Sequence, residues 1–362
     1  MNQARPQHLR LFSRLFNEAW QPRFLHLSAV RPARVFPNVS AGPPPKPPTP
    51  IVSEQRTRAS QRPDVSAKDG KYAAPKKRFW QTVSVRPVGG ALEIYLDERQ
   101  LRHPRSKSII RLPVSKPSLA VALALEWDQL TSVLQATKDH LVPLTSLICR
   151  ALDIEADDRS DSSGMGKTRS DISTAVLKYL DTDTLLCWAP PAGEHDVRNK
   201  AGESLRDVQK RFAGETVSFL TTYVWPGVTI EPVLDGQSFT PRQQAAGVRE
   251  IVQGWVQGLS PWELAGLERA VLAGKSLVIA ARLVAQWSEE SVVPAVEHVL
   301  GVEEAAKAVS IEVDWQTDQW GEVEDTHDVN HQDLRRQLGS VVLLVSGTRG
   351  DASAMFKHRN AE

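Results

Sequence analysis

Gln81-Thr82-Val83-Ser84-Val85-Arg86-Pro87-Val88-Gly89-Gly90-Ala91-Leu92-Glu93-Ile94-Tyr95-Leu96 is the stretch on which the reading of the fold turns. Val83 and Val85 alternate with other residues, and Leu92, Ile94 and Leu96 share one face on the return. Gly89-Gly90 between them is the two-residue turn of a β-hairpin. Working outward, Asp97-Glu98-Arg99 turns again, and Leu101 and Ser108–Leu112 supply further short strands punctuated by Pro104 and Pro113. A helix is expected from about Pro117, with Ser115 or Ser118 as candidate cap, through Glu126-Trp127-Asp128 to about Leu130. Residues 78–142 therefore read as a small antiparallel sheet with a helix.

From Pro143 onward the pattern is helical. Leu144–Leu152 is apolar enough to be buried. Glu155–Ser170, rich in Asp, Ser, Gly and Arg, reads as a mobile insertion. Asp171–Leu180 restarts a helix, and Asp181-Thr182-Asp183-Thr184 follows. Pro191–Arg211 is polar and ambiguous. Pro241 suits a first helical turn after Thr240, and helices are expected at about 242–257, 262–287, 289–299 and 303–338, with Gly258-Leu259-Ser260-Pro261 separating the first two. The fold class is α+β: a small N-terminal antiparallel sheet with helix, then a mainly α-helical orthogonal bundle over 143–348, ending in a tail at 349–362.

Charge divides the chain in two. The 362 residues hold 44 Lys/Arg and 43 Asp/Glu, but 1–78 hold 15 basic and 4 acidic residues, leaving 29 and 39 for the rest. A basic head at +11 precedes an acidic body at −10. Near-zero net charge argues against a general nucleic-acid binder. No apolar run approaches the roughly 18 residues of a membrane-spanning helix. Cys149 and Cys187 are too few for a disulfide framework or a four-thiolate zinc site and read as buried free thiols.

The head reads as an address. In His8–Trp20, Leu9, Phe12, Phe16 and Trp20 fall on one helical side and Arg10 and Arg14 on another. That is the pattern of a mitochondrial presequence, a transit peptide for the import and processing machinery, with maturation near Ala33. Eight prolines in 31–50 and the polar stretch beyond make 34–77 a disordered linker.

Catalytic motifs are sparse. Gly164-Met165-Gly166-Lys167-Thr168 hints at a phosphate loop, but Asp161 stands where that motif needs glycine. His327 and His331 are spaced i, i+4, as in zinc hydrolases, but Asp328 replaces the Glu base and no third ligand is evident. A metal-dependent hydrolase using this pair, and a scaffold recruited through the Pro-rich arm, are the rival readings. No catalytic residue, metal or cofactor is assigned.

Over 309–325, a helical wheel at about 100° per residue puts Val309, Val313, Gln316, Trp320 and Val323 on one stripe. Asp314, Asp318, Glu322 and Asp325 form an acidic ridge opposite. The stripe is expected to pack and the ridge to face water. Glu312 lies at the stripe's margin, either as an edge Glu or as an acid presented to a partner's Lys, Arg or amide. Trp80, Trp127, Trp255, Trp262 and Trp320 are read mostly as packing residues.

Arg78-Phe79-Trp80, Leu96-Asp97-Glu98-Arg99-Gln100-Leu101, Glu126-Trp127-Asp128, Pro143-Leu144-Thr145, Tyr179-Leu180-Asp181-Thr182-Asp183-Thr184-Leu185-Leu186-Cys187 and Gln319-Trp320-Gly321-Glu322 occur in one order. The series resembles the mitochondrial ATP synthase F(1) complex assembly factor 2 family, from about Arg78 to Gly347. The chain departs from it at Gln209, followed by Lys210-Arg211-Phe212-Ala213 where the family carries Trp-Asp-Pro. The resemblance implies a non-enzymatic matrix chaperone that binds the unassembled alpha subunit of the F(1) sector until beta replaces it. It also implies an α/β domain followed by a helical one. Glu312, Trp320, Gly321 and Glu322 are the matching candidates for partner binding. Trp127, Asp128, Asp181 and Asp183 are expected to be structural or interdomain.

Overall fold

The computed structural model describes residues 77–348, apart from 163, 239, 292, 295–297 and 324. The presequence expected at 1–33, nearly all of the 34–77 linker and the 349–362 tail lie outside the described residues.

The hairpin forms as its sequence requires. β1 (Val83–Val88) and β2 (Ala91–Leu96) pair antiparallel with Val88 opposite Ala91. Gly89 and Gly90 both take positive φ, 57° and 79°, which matches the turn to the strand twist. β2 is central: β3 (Arg99–Gln100) pairs with its end and β4 (Arg111–Pro113) with its start. Leu92, Ile94 and Leu96 are buried against α1 (Pro117–Asp128), which packs on β1 and β2. Neither Ser115 nor Ser118 caps α1; Lys116 occupies the cap position with no side-chain bond to the helix. Its ammonium instead donates to the carbonyls of Leu344, Val345 and Ser346, at 3.0, 3.2 and 3.1 Å.

The helical part begins at the 142/143 junction with α2 (Pro143–Ser160). One continuous apolar core crosses that junction. Glu126, near the end of α1, accepts the amides of Leu144 and Thr145 at 2.7 and 3.0 Å and the Thr145 hydroxyl at 2.7 Å. It therefore satisfies orphan donors of the α2 N-terminus. Trp127 donates its indole N–H to Thr145 Oγ1 at 2.8 Å and stacks tilted on buried Trp80, ring centres 5.5 Å apart. Asp128 holds Arg78 at 3.2 Å.

The stretch 155–170, expected as an insertion, is mostly helical. Its first part completes α2, and α3 (Lys167–Val176) starts after a short turn. Asp157 accepts the Thr168 amide at 2.7 Å, and Asp158 grips the buried Arg169 at 2.6 Å. Two carboxylates already occupy the start of α3, where a phosphate would have to sit. The ambiguous 191–211 stretch ends in α4 (Leu205–Tyr223), whose Ser204/Asp207 capping box fixes its start.

Four other expectations are corrected. No helix starts at Pro241, because the Arg242 amide donates to Val233 O at 2.8 Å; α5 is Val248–Gly258. The single helix expected over 262–287 is two, α6 (Pro261–Gly274) and α7 (Leu277–Trp287). The break is at Lys275, left-handed at φ 52°, followed by Ser276, which caps α7 by accepting the Ile279 amide. The described residues of 289–299 form no helix. Finally, 303–338 divides into α8 (Val302–Trp320) and α9 (His327–Val345). No helix among the described residues is long and apolar enough to cross a membrane.

Trp127→Arg places a cation where an indole joins α1, α2 and Trp80. The expected outcome is a loss on the order of 3 kcal/mol, read as a lower melting temperature and soluble yield. An unchanged melting temperature would count against the junction described.

Candidate functional site

The candidate partner-binding residues gather on the α8–α9 hairpin. The Gly301 amide donates to Glu304 at 3.0 Å where α8 begins. Ala305, Ala306, Ala308 and Ile311 then turn inward and are buried. That face packs, and of the expected stripe only its start does, Val309 lying against Gly274. Beyond Val309 the stripe read as a packing surface points outward: Val313 is 40% exposed, Trp320 80% and Val323 57%. The wheel located the stripe correctly but not its direction, because the small Ala305, Ala306 and Ala308 permit the close approach that larger residues would block. Trp320 is thus corrected from a packing residue to the most exposed of the large apolar side chains described here.

The helix ends where Gly321 takes φ 88°, ψ 160°. This region is essentially confined to glycine, so Trp320 is the last helical residue and the chain turns away beneath it. Glu312 is exposed on the same side of α8 and accepts a hydrogen bond from Gln316 at 3.3 Å. Glu322 is exposed beyond the turn. The four candidates Glu312, Trp320, Gly321 and Glu322 therefore lie along one side and one end of α8.

The acidic ridge is divided by its partners. Asp314 faces His331 of α9, Nε2 to Oδ1 at 3.2 Å but out of line for a hydrogen bond. Burial raises the Asp314 pKa, with the His331 charge opposing and Asp318 adding to the rise. Glu303 pairs with Arg335 at 2.7 Å, and Asp333 with Arg336. Among the described residues Glu312, Asp318, Glu322, Asp325 and Asp328 have no ion-pair partner. A cavity of about 460 Å³ opens between α8, α9 and the α6–α7 turn, with Glu312, Lys275, His327 and His331 in its walls.

The two imidazoles do not converge. His327 Nδ1 accepts the Val323 amide at 3.1 Å, and His331 turns to Asp314. Among the described residues no group of three or more His, Cys, Asp or Glu side chains could hold a metal ion. Cys149 is buried, which pushes its thiol up to about 12.

Asp181 and Asp183 lie elsewhere. Asp181 pairs with Arg249 of α5. Asp183 is fully buried; its two oxygens accept the Leu185 and Val278 amides, both at 2.9 Å. Glu126 and Lys116 do comparable work at the sheet junction and were not apparent from sequence. Each binds backbone distant in the chain, which no local spacing reveals.

A family model described as ATP12 chaperone protein matches residues 77–221. The mitochondrial protein ATP12 of Saccharomyces cerevisiae is 31% identical over 278 residues, covering 74% of this chain and 83% of that protein. This chain belongs to the ATP12 chaperone family. Mitochondrial atp12 of Schizosaccharomyces pombe is 29% identical over 270 residues, with 74% and 81% covered. The ATP12 fold is also seen in the crystal structure of Atp12 from Paracoccus denitrificans, at TM-score 0.53 and 21% identity over 74% of this chain and 98% of that one. The Atu1473 protein of Agrobacterium tumefaciens matches at TM-score 0.54 and 22% identity, with 75% and 86% covered. The ordered motifs from Arg78 onward pointed to this family, and the sheet-then-helices order is its fold.

Burial pushes the Asp183 carboxyl up to about 6, against 3.8 for an ordinary aspartate, with the amides of Val278 and Leu185 and the Ser276 hydroxyl opposing the shift. Between those values the folded protein keeps a proton that the unfolded chain has released. Its stabilising contribution is therefore largest near pH 4 and falls by on the order of 3 kcal/mol as pH rises through 6. The unfolding free energy of the protein minus that of Asp183→Asn is expected to shrink across that window. A difference independent of pH would contradict the assignment.

Proposed function

We propose that this ATP12-family chain is a chaperone of the mitochondrial matrix for assembly of the F(1)-ATP synthase. It binds the unassembled alpha subunit and prevents its aggregation until beta replaces it. It performs no catalysis. The observation that carries this reading is the outward stripe of Val313, Trp320 and Val323 on an acidic hairpin. A soluble monomer rarely leaves an indole so exposed beside other apolar residues unless a partner covers it.

The mechanism is holding. A lone alpha subunit exposes surface that beta covers in the assembled sector, and such surface drives association with wrong partners. A binder that covers it lowers the free concentration of the aggregating species by mass action. The binder must then yield, so moderate affinity with an electrostatic share suits it, and an acidic body steers basic partner patches. Release proceeds by competition from beta. The basic, amphipathic N-terminus supports import into mitochondria, and the named relatives from both yeasts are mitochondrial proteins. Among the candidate residues Trp320 and Glu312 contact alpha, Gly321 sets the turn that presents Trp320, and Glu322 adds charge at the rim.

Co-expression with separate F(1) subunits tests the reading. Alpha is expected to stay soluble and co-purify, and beta alone is not. Alpha that aggregates equally with and without this chain would overturn it. Glu312→Lys, on an exposed position, is expected to leave melting unchanged and weaken alpha capture several-fold; normal capture would remove Glu312 from the site.

A further inference from the structure

The outer face of α8 also specifies the form of what covers it. Val309, Val313, Gln316 and Trp320 are spaced i, i+4, i+7 and i+11, a straight seam about 16 Å long over three turns. Such spacing is how one helix receives another. Val309 closes the inner end against Gly274, and exposure rises from Val313 at 40% to Trp320 at 80%. No described residue packs on the outer end of this seam. Lys275 lies in the cavity at its inner end, but the exposed charges around its outer end are acidic. Residues 302–333 contain ten Asp/Glu against Lys307 alone. Glu312 borders the seam, Glu322 and Asp325 stand beyond Trp320, and Asp328 opens α9; none has an ion-pair partner among the described residues.

We infer that the outer part of this seam, Val313–Gln316–Trp320, is a docking site for an amphipathic helix of a partner polypeptide, at least two turns long, with an apolar stripe flanked by Lys and Arg. Apolar side chains of that helix cover Val313 and Trp320. Its cations face Glu312 on one flank and Glu322 and Asp325 at the end. An acidic helix meets uncompensated carboxylates and is rejected. A basic segment without the helical stripe is attracted but leaves Trp320 uncovered. The inference rests on the chaperone reading only in assigning the helix to the bound subunit.

Three labelled 18-residue peptides titrated into the full-length protein provide the test, with binding read by fluorescence anisotropy. One is a Leu/Lys helix with an apolar stripe at helical period. The second has the same pattern with Glu for Lys, and the third is a Leu/Lys scramble. The first is expected to bind, and the other two at least tenfold more weakly. Trp320→Ala and Val313→Ser, both on exposed positions, are each expected to weaken the first peptide about tenfold, with circular dichroism and melting unchanged. Equal binding of the scramble, or both variants binding as the parent does, would overturn the inference. A parallel pull-down separates the two readings. Full alpha capture by Trp320→Ala would overturn the docking seam and remove Trp320 from the alpha contact, while capture of alpha by the parent would still support the holding function. Failure of the parent to capture alpha, with the peptide pattern as expected, would overturn the chaperone reading and leave the seam standing.

Discussion

A carboxylate with no access to water holds the helical half of this protein in register. Asp183 sits between the short turn Thr184–Leu186 and the first turn of α7, and gives one oxygen to each. Two backbone donors compensate much of what burying it costs. They also decide where α7 starts. From Leu277 to Val284 every residue of α7 is buried, so a shift of its first turn would displace each contact with α4, α6, α8 and α9. Glu126 plays the corresponding role at the other junction, where it ties the end of α1 to the start of α2. Each join is made by an acid that caps a helix other than its own.

What could be read from the sequence follows the range of the interactions concerned. The Gly89-Gly90 hairpin, α1, the Ser260 break and the order of sheet then helices depend on neighbours in the chain, and all were legible. The breaks at Lys275 and Gly321 were not, since an apolar periodicity runs through both. The first is imposed by Asp183 and Ser276 accepting the amides of Val278 and Ile279, the second by a conformation only glycine adopts readily. The start of α5 was misplaced because Arg242 bonds to Val233, a pairing outside any local pattern.

The candidate site shows the same limit in another form. Periodicity located the apolar stripe of α8 and the position of Glu312 on its margin. It could not say which side of α8 would meet the core, since alanines also make a packing face and allow closer approach. The larger side chains were left outward, and the misreading of Trp320 as a packing residue follows from this. A helix with two apolar faces, one used by the fold and one free, is consistent with a protein whose function is to be covered by another. The sign of charge around the free face then sets what is attracted to it.

Light scattering of alpha subunit diluted from denaturant tests that function most directly. With this protein present at one equivalent and no nucleotide, scattering is expected to stay at baseline, and added beta should take alpha into an assembled complex while this protein is released free. Unchanged scattering at one equivalent, or alpha that beta cannot recover, would contradict the account.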